Sequence, residues 1–184
     1  MVSIAAAMWG SNINSKEERD KTVEFSLTLP VKRSTIITAK IAAALVNCVG
    51  LLGFVWLGMN ITIAQYDPSP EFFNFMNISL VALFIVEMIF LSVEILVGCA
   101  LKQYRLAGSL AIGAILGTYF LSIASGLHES LEFLKYFTPF KYFAPIDLMQ
   151  NLSLDGGMVG LSFGIIAVCL VLAYVTYQRR DLYI

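Results

Sequence analysis

VALFIVEMIFLSVEILVG, residues 81–98, departs from apolar character only at Glu87, Ser92, Glu94 and Gly98. A helix needs about 20 apolar residues to cross about 30 Å of hydrocarbon, and this run supplies nearly all of them. Flanking residues extend it to a predicted span at 77–101. The rest of the 184-residue chain agrees: 58% of residues are hydrophobic and only 14% are charged, which separates it from ordinary soluble domains. Three further runs of sufficient length lie at 41–64, 106–126 and 157–177. The expected fold class is therefore an all-α, polytopic transmembrane helix bundle in a single domain covering 1–184.

Outside the spans, the opening MVSIAAAMWG is apolar but too short to cross, lacks a basic leader, and is followed by charge rather than a cleavage site. The simplest account of residues 1–12 is the tail of a preceding membrane helix, with an interfacial start as the alternative. The net charge of −1 gives no argument for nucleic acid, and the charges are segregated along the chain. Cys48, Cys99 and Cys169 stand singly in apolar runs, as small buried hydrophobes do.

Orientation follows from the cations. With 13–40 cytoplasmic, Lys16, Arg19, Lys21, Lys32, Arg33, Lys40, Lys102, Arg105, Arg179 and Arg180 fall inside, and only Lys135 and Lys141 fall outside. The reverse topology would invert this ten-to-two bias. Both ends of the four-span region are thus expected in the cytoplasm, with connections 65–76 and 127–156 outside.

Residues 17–40, EERDKTVEFSLTLPVKRSTIITAK, carry five of the chain's 12 Lys and Arg. Ser15 with Glu18 forms a capping-box pattern, and Val23, Leu27 and Phe25 give the predicted surface helix an apolar side. Pro30 disfavours helix at Leu29, after which Ser34 or Thr35 can cap a new helix that descends past the Lys40 anchor. The four-residue connection 102–105 makes the second and third spans a hairpin. The outer connection near 128–155 holds Leu131, Leu134, Phe137 and Phe140 at helical spacing between prolines, and is read as short amphipathic or re-entrant helices.

No P-loop, HExxH or nucleophile elbow occurs, and no catalytic or metal-binding set is expected; ATP-driven work would require a partner. The lone His128, beside Glu129, reads as a solvated interfacial side chain. Glu87 and Glu94 are different: seven residues apart, they share a helix face at membrane depth, where a charge costs at least ~2.5 kcal/mol. Either they line an intramembrane polar pathway, or they are protonated or hydrogen-bonded structural glue. Ser109, Gly113 and Gly117, and Gly156, Gly160 and Gly164, recur every four residues and form candidate helix-packing or dimerisation faces.

The segment at 17–40 resembles the cytoplasmic loop of ABC-2 type exporter permeases: an acidic residue, a Thr-x-Glu pair, a short apolar run, Pro then Arg, and Lys at the membrane. Those positions are Glu18, Thr22, Glu24, Phe25 to Leu29, Pro30, Arg33 and Lys40. The outer YFTPFKYFAP and the terminal QRRDLYI, with Arg180 and Asp181, are similar to the same family. Against the family's usual six spans, this chain supplies the last four, with residues 1–12 as a stub of the second. The resemblance implies a permease rather than an enzyme, with no cofactor of its own, ATP and Mg on a separate ATP-binding subunit, and a second permease subunit in the cell membrane. It makes 13–35 a cytoplasmic coupling segment, in which Glu18, Arg19, Thr22, Glu24, Phe25, Pro30 and Arg33 contact the ATPase. It also makes 127–156 an extracellular re-entrant gate. The rival readings are a secondary transporter or channel using Glu87 and Glu94, and a membrane scaffold subunit.

Overall fold

A computed structural model describes residues 3–10, 33–66, 69–101, 104–127 and 129–179. Among them every regular element is helical. The order is α1 (3–10), α2 (Arg33–Ile63), α3 (Pro70–Ala100), α4 (Tyr104–Ala124), 3-10 helices at Glu129–Phe137 and Pro139–Lys141, α5 (Pro145–Asn151) and α6 (Gly156–Arg179). The all-α membrane class expected from the sequence is the observed one. At 1.5 Å per residue the 31 residues of α2 or α3 extend about 46 Å, and the 24 of α6 about 36 Å. Ser34–Ile63, Pro70–Ala100 and Gly156–Gln178 are long and apolar enough to cross a bilayer, while Gly108–Ala124 within α4 is a shorter apolar helix.

Local chemistry sets the helix ends. Pro70 and Pro145 occupy the first turns of α3 and α5, where a missing N–H costs nothing and φ is already helical. Asp155 starts α6: its Oδ1 accepts a hydrogen bond from the Gly157 N–H at 2.8 Å, and its carbonyl accepts one from Val159 at 3.0 Å. α5 stops at Leu152, whose φ of 46° is a left-handed backbone conformation unusual for a branched side chain.

α3 is the axis of the fold. It packs most extensively on α6 and also touches α2, α4 and α5. In its most apolar stretch 56% of residues are buried, against 11% in α2 and α6. Two clusters divide its length. One joins Ile85, Ile89 and Phe90 to Ala7, Ala111, Tyr142 and Leu148. The other joins Leu91, Ile95 and Cys99 to Ala6, Ile37, Ala44, Cys48, Ala173 and Tyr177. On α2 only the face carrying Ile37, Ala44 and Cys48 is buried, and Phe54, Leu57 and Ile61 remain exposed. For a helix in lipid such exposure is solvation by acyl chains, not a packing defect.

Candidate functional site at the buried carboxylates of the central helix

Glu87 is 0% exposed and Glu94 1% exposed, both on α3, two turns and about 10 Å apart along its axis. Their burial follows from the position of α3, which has neighbours on several sides. Both carboxyl oxygens of Glu87 and Oε2 of Glu94 have no hydrogen-bond partner among the described residues. Cys48 of α2, itself buried, lies close enough to Glu87 to interact electrostatically. Ser92, between the two acids, donates to the Ile89 carbonyl at 2.9 Å. Among the described residues no group of three or more His, Cys, Asp or Glu could hold a metal ion.

α1 seals the site at Glu94. A Cβ built on Gly10 would lie 2.9 Å from the Glu94 Cβ, 2.9 Å from the Leu91 carbonyl oxygen and 3.2 Å from the Ile95 nitrogen. Only hydrogen fits there. Ser3, Ala6, Ala7 and Gly10 are all buried, so α1 lays a face of small residues directly on the α3 backbone. Apolar character alone gives residues 1–12 no packing role; the signal for one is the small residues at positions 3, 7 and 10, which share a helical face.

The predicted packing stripes lie elsewhere. Around Gly113 and Gly117 on α4, and Gly156, Gly160 and Gly164 on α6, nothing lies within 4 Å of a built Cβ, and Ser109 is exposed. Among the described residues these faces make no close helix contact. α6 meets α3 instead through a face that includes the fully buried Ser162 and Ala173.

Beyond α4, the aromatic segment folds back onto the bundle. The Phe140 ring sits 5.1 Å from that of Phe90 on α3 and 5.9 Å, nearly perpendicular, from Tyr119 on α4. Tyr142 Oη donates to the Tyr136 carbonyl at 2.5 Å, and Thr138 Oγ1 donates to Leu134 at 3.1 Å. Burial pushes the Tyr142 hydroxyl above its ordinary pKa, because the phenolate would lose its hydration. Phe137 is exposed, so the four-residue apolar face read from the spacing is only partly used for packing.

Of the expected partner-binding residues, Glu18, Arg19, Thr22, Glu24, Phe25 and Pro30 lie outside the described residues, as does His128; Arg33 is the first residue of α2. No curated protein sequence matches the chain. A family model described as ABC-2 family transporter protein matches residues 1–182, nearly the full length, and agrees with the long apolar helices. The chain belongs to the ABC-2 family of transporter proteins.

Proposed function

We propose that the chain is the membrane-spanning permease subunit of an ATP-driven exporter, coupled through residues 13–35 to a separate ATP-binding subunit. Membership of the ABC-2 transporter family carries this reading. ATP and Mg bind the partner, whose closure moves this chain by pulling on a surface helix. Glu24 and Arg19 supply polar contacts, and Phe25 seats in a groove of the partner. The Lys and Arg distribution supports a cytoplasmic position for that segment and for the C-terminus, in the cell membrane.

Two permease subunits form the transport unit, and the small-residue faces of α4 and α6, uncovered among the described residues, suit close contact with a second copy or a related chain. Residues 127–156 gate the outer side. Glu87 and Glu94 line an intramembrane polar pathway, a reading supported by their three carboxyl oxygens without a partner among the described residues. The test is affinity purification of the membrane-extracted chain, wild type and Glu24→Arg, from its native host. A P-loop ATPase that accompanies the wild type and is lost with the charge reversal is the expected result. Recovery of no ATPase with a folded wild type would overturn the reading, and ion-dependent flux by the chain alone would favour a secondary transporter.

A further inference from the structure

Glu94 stands six residues before the end of α3 at Ala100, about 9 Å along the axis, yet it is only 1% exposed. Part of its cover is α1. Gly10 rests against the Glu94 Cβ and the Leu91 carbonyl, Trp9 packs on the cluster of Leu91, Ile95 and Cys99, and Ala6 and Ala7 are fully buried. A helix as short as residues 3–10 draws its stability from packing rather than from itself, so this contact decides where α1 lies.

α1 brings no titratable side chain to Glu94. On the other elements packed around this end of α3 the titratable side chains are Lys40 and Cys48 of α2, Cys99 of α3 itself, and Cys169, Tyr174 and Tyr177 of α6. Oε2 of Glu94 has no hydrogen-bond partner among the described residues. A carboxylate deprived of both water and a partner neutralises by holding its proton. A carboxyl that bulk water does not reach exchanges nothing larger than that proton, and in this arrangement the backbone of α1 is what bars the way at Gly10.

We propose that Glu94 is a proton-binding site whose lid is α1. The proton is held while Gly10 lies on α3; when α1 lifts, it passes from the carboxyl oxygen to entering water and leaves a hydrated carboxylate. The inference rests on the reading of Glu87 and Glu94 as a polar pathway and names the proton as what Glu94 takes up. The segment 13–35 begins three residues after Gly10, so a pull on it reaches the lid directly.

The experiment is infrared spectroscopy of the full chain in lipid vesicles, followed after transfer to D2O. Wild type at neutral pH is expected to show a carboxylic-acid carbonyl band that shifts only slowly as deuterium replaces the proton, and Glu94→Gln to remove part of that band. Gly10→Ala sets a methyl into the contact with α3, which raises the population of the open lid, so the Glu94 part of the band should exchange roughly tenfold faster. Continued protection of the buried Cys48 and Cys99 from a thiol reagent shows that the variant is folded. Should it fail to fold, Glu94→Cys reads the lid in otherwise native packing: the introduced thiol is expected to resist a small water-soluble reagent, and rapid reaction would overturn the lid. An acid band untouched by Glu94→Gln would overturn the proton site, and exchange no faster in a folded Gly10→Ala than in wild type would overturn the role of α1. Transport tests the pathway separately, because export intact in Glu94→Gln together with lid-dependent exchange would remove the pathway reading and uphold the proton site.

Discussion

Substituting Gly10 tests the seal over Glu94 through a contact with little room to relax. In Gly10→Ala the new methyl would stand 2.9 Å from the Glu94 Cβ and 2.9 Å from the Leu91 carbonyl oxygen, where ordinary contacts fall at 3.4–4 Å. The second neighbour is α3 backbone, so no rotamer change clears it, and α1 must move outward by at least half an ångström. Overpacking of this kind costs about 1–3 kcal/mol, while alanine's better helix propensity returns at most about 1 kcal/mol and less at a helix end. A net loss of ~1.5 kcal/mol corresponds to a Tm lower by roughly 3–6 °C for a chain of this size. Gly50→Ala is the control, because among the described residues nothing lies within 4 Å of that site on α2 and only the propensity gain remains, so its Tm should rise. Reaction of the buried Cys48 and Cys99 with a thiol-sensitive dye during heating in detergent reads both variants. A second measure is pairing with Glu94→Ala: that change keeps the Cβ and leaves the Leu91 oxygen in place, so it should not rescue Gly10→Ala. Gly10→Ala as stable as wild type, with Gly50→Ala behaving as expected, would refute the close packing of α1 on α3.

Three further outcomes follow from the same geometry. Glu87→Met should raise thermal stability, because it removes two buried oxygens without partners among the described residues, each kind of group costing about 1–3 kcal/mol; a marked drop in Tm would reveal a partner from elsewhere. Asp155→Ala should destabilise α6 by about 1 kcal/mol through loss of its bond to the Gly157 N–H, while Asp155→Asn should be nearly neutral, as amide exchange in the first turn of α6 would report. Because burial raises the Tyr142 pKa, the folded chain holds that proton more tightly than the unfolded chain, whose tyrosine titrates near 10. Its contribution is therefore complete below pH ~10 and is lost as pH rises through the folded value; Tyr142→Phe should flatten the alkaline fall in a pH series of melting curves.

Part of the site is legible in the amino-acid sequence. Glu87 and Glu94 stand out because a carboxylate in an apolar run violates the strongest rule of membrane composition, and the fold buries both completely. Gly10 does not stand out, because a glycine's neighbours are invisible from its own position in the chain. The stripes at Ser109, Gly113 and Gly117 and at Gly156, Gly160 and Gly164 are legible as small-residue faces, yet the spacing that permits close approach does not say which helix approaches. Likewise the contact of Phe140 with Phe90 and Tyr119 depends on how two 3-10 helices and α5 fold back, over about twenty residues whose pattern shows only that they are amphipathic and broken by proline.

The sequence by itself determined the solvent and the class: apolar runs of spanning length, cations gathered at alternate connections, and a set of separated motifs that resemble one transporter family. Those are properties of composition along a line, and a bilayer reads them segment by segment. Only the tertiary structure decided that α3 is the central helix, that α1 closes over Glu94, and that the small-residue faces of α4 and α6 are left uncovered among the described residues. The physical reason is that spanning helices are apolar on every side. With lipid as apolar as a leucine face, hydrophobicity cannot distinguish a surface that meets protein from one that meets acyl chains, and the choice falls to shape, to the fit of small residues and to the burial of the few polar groups.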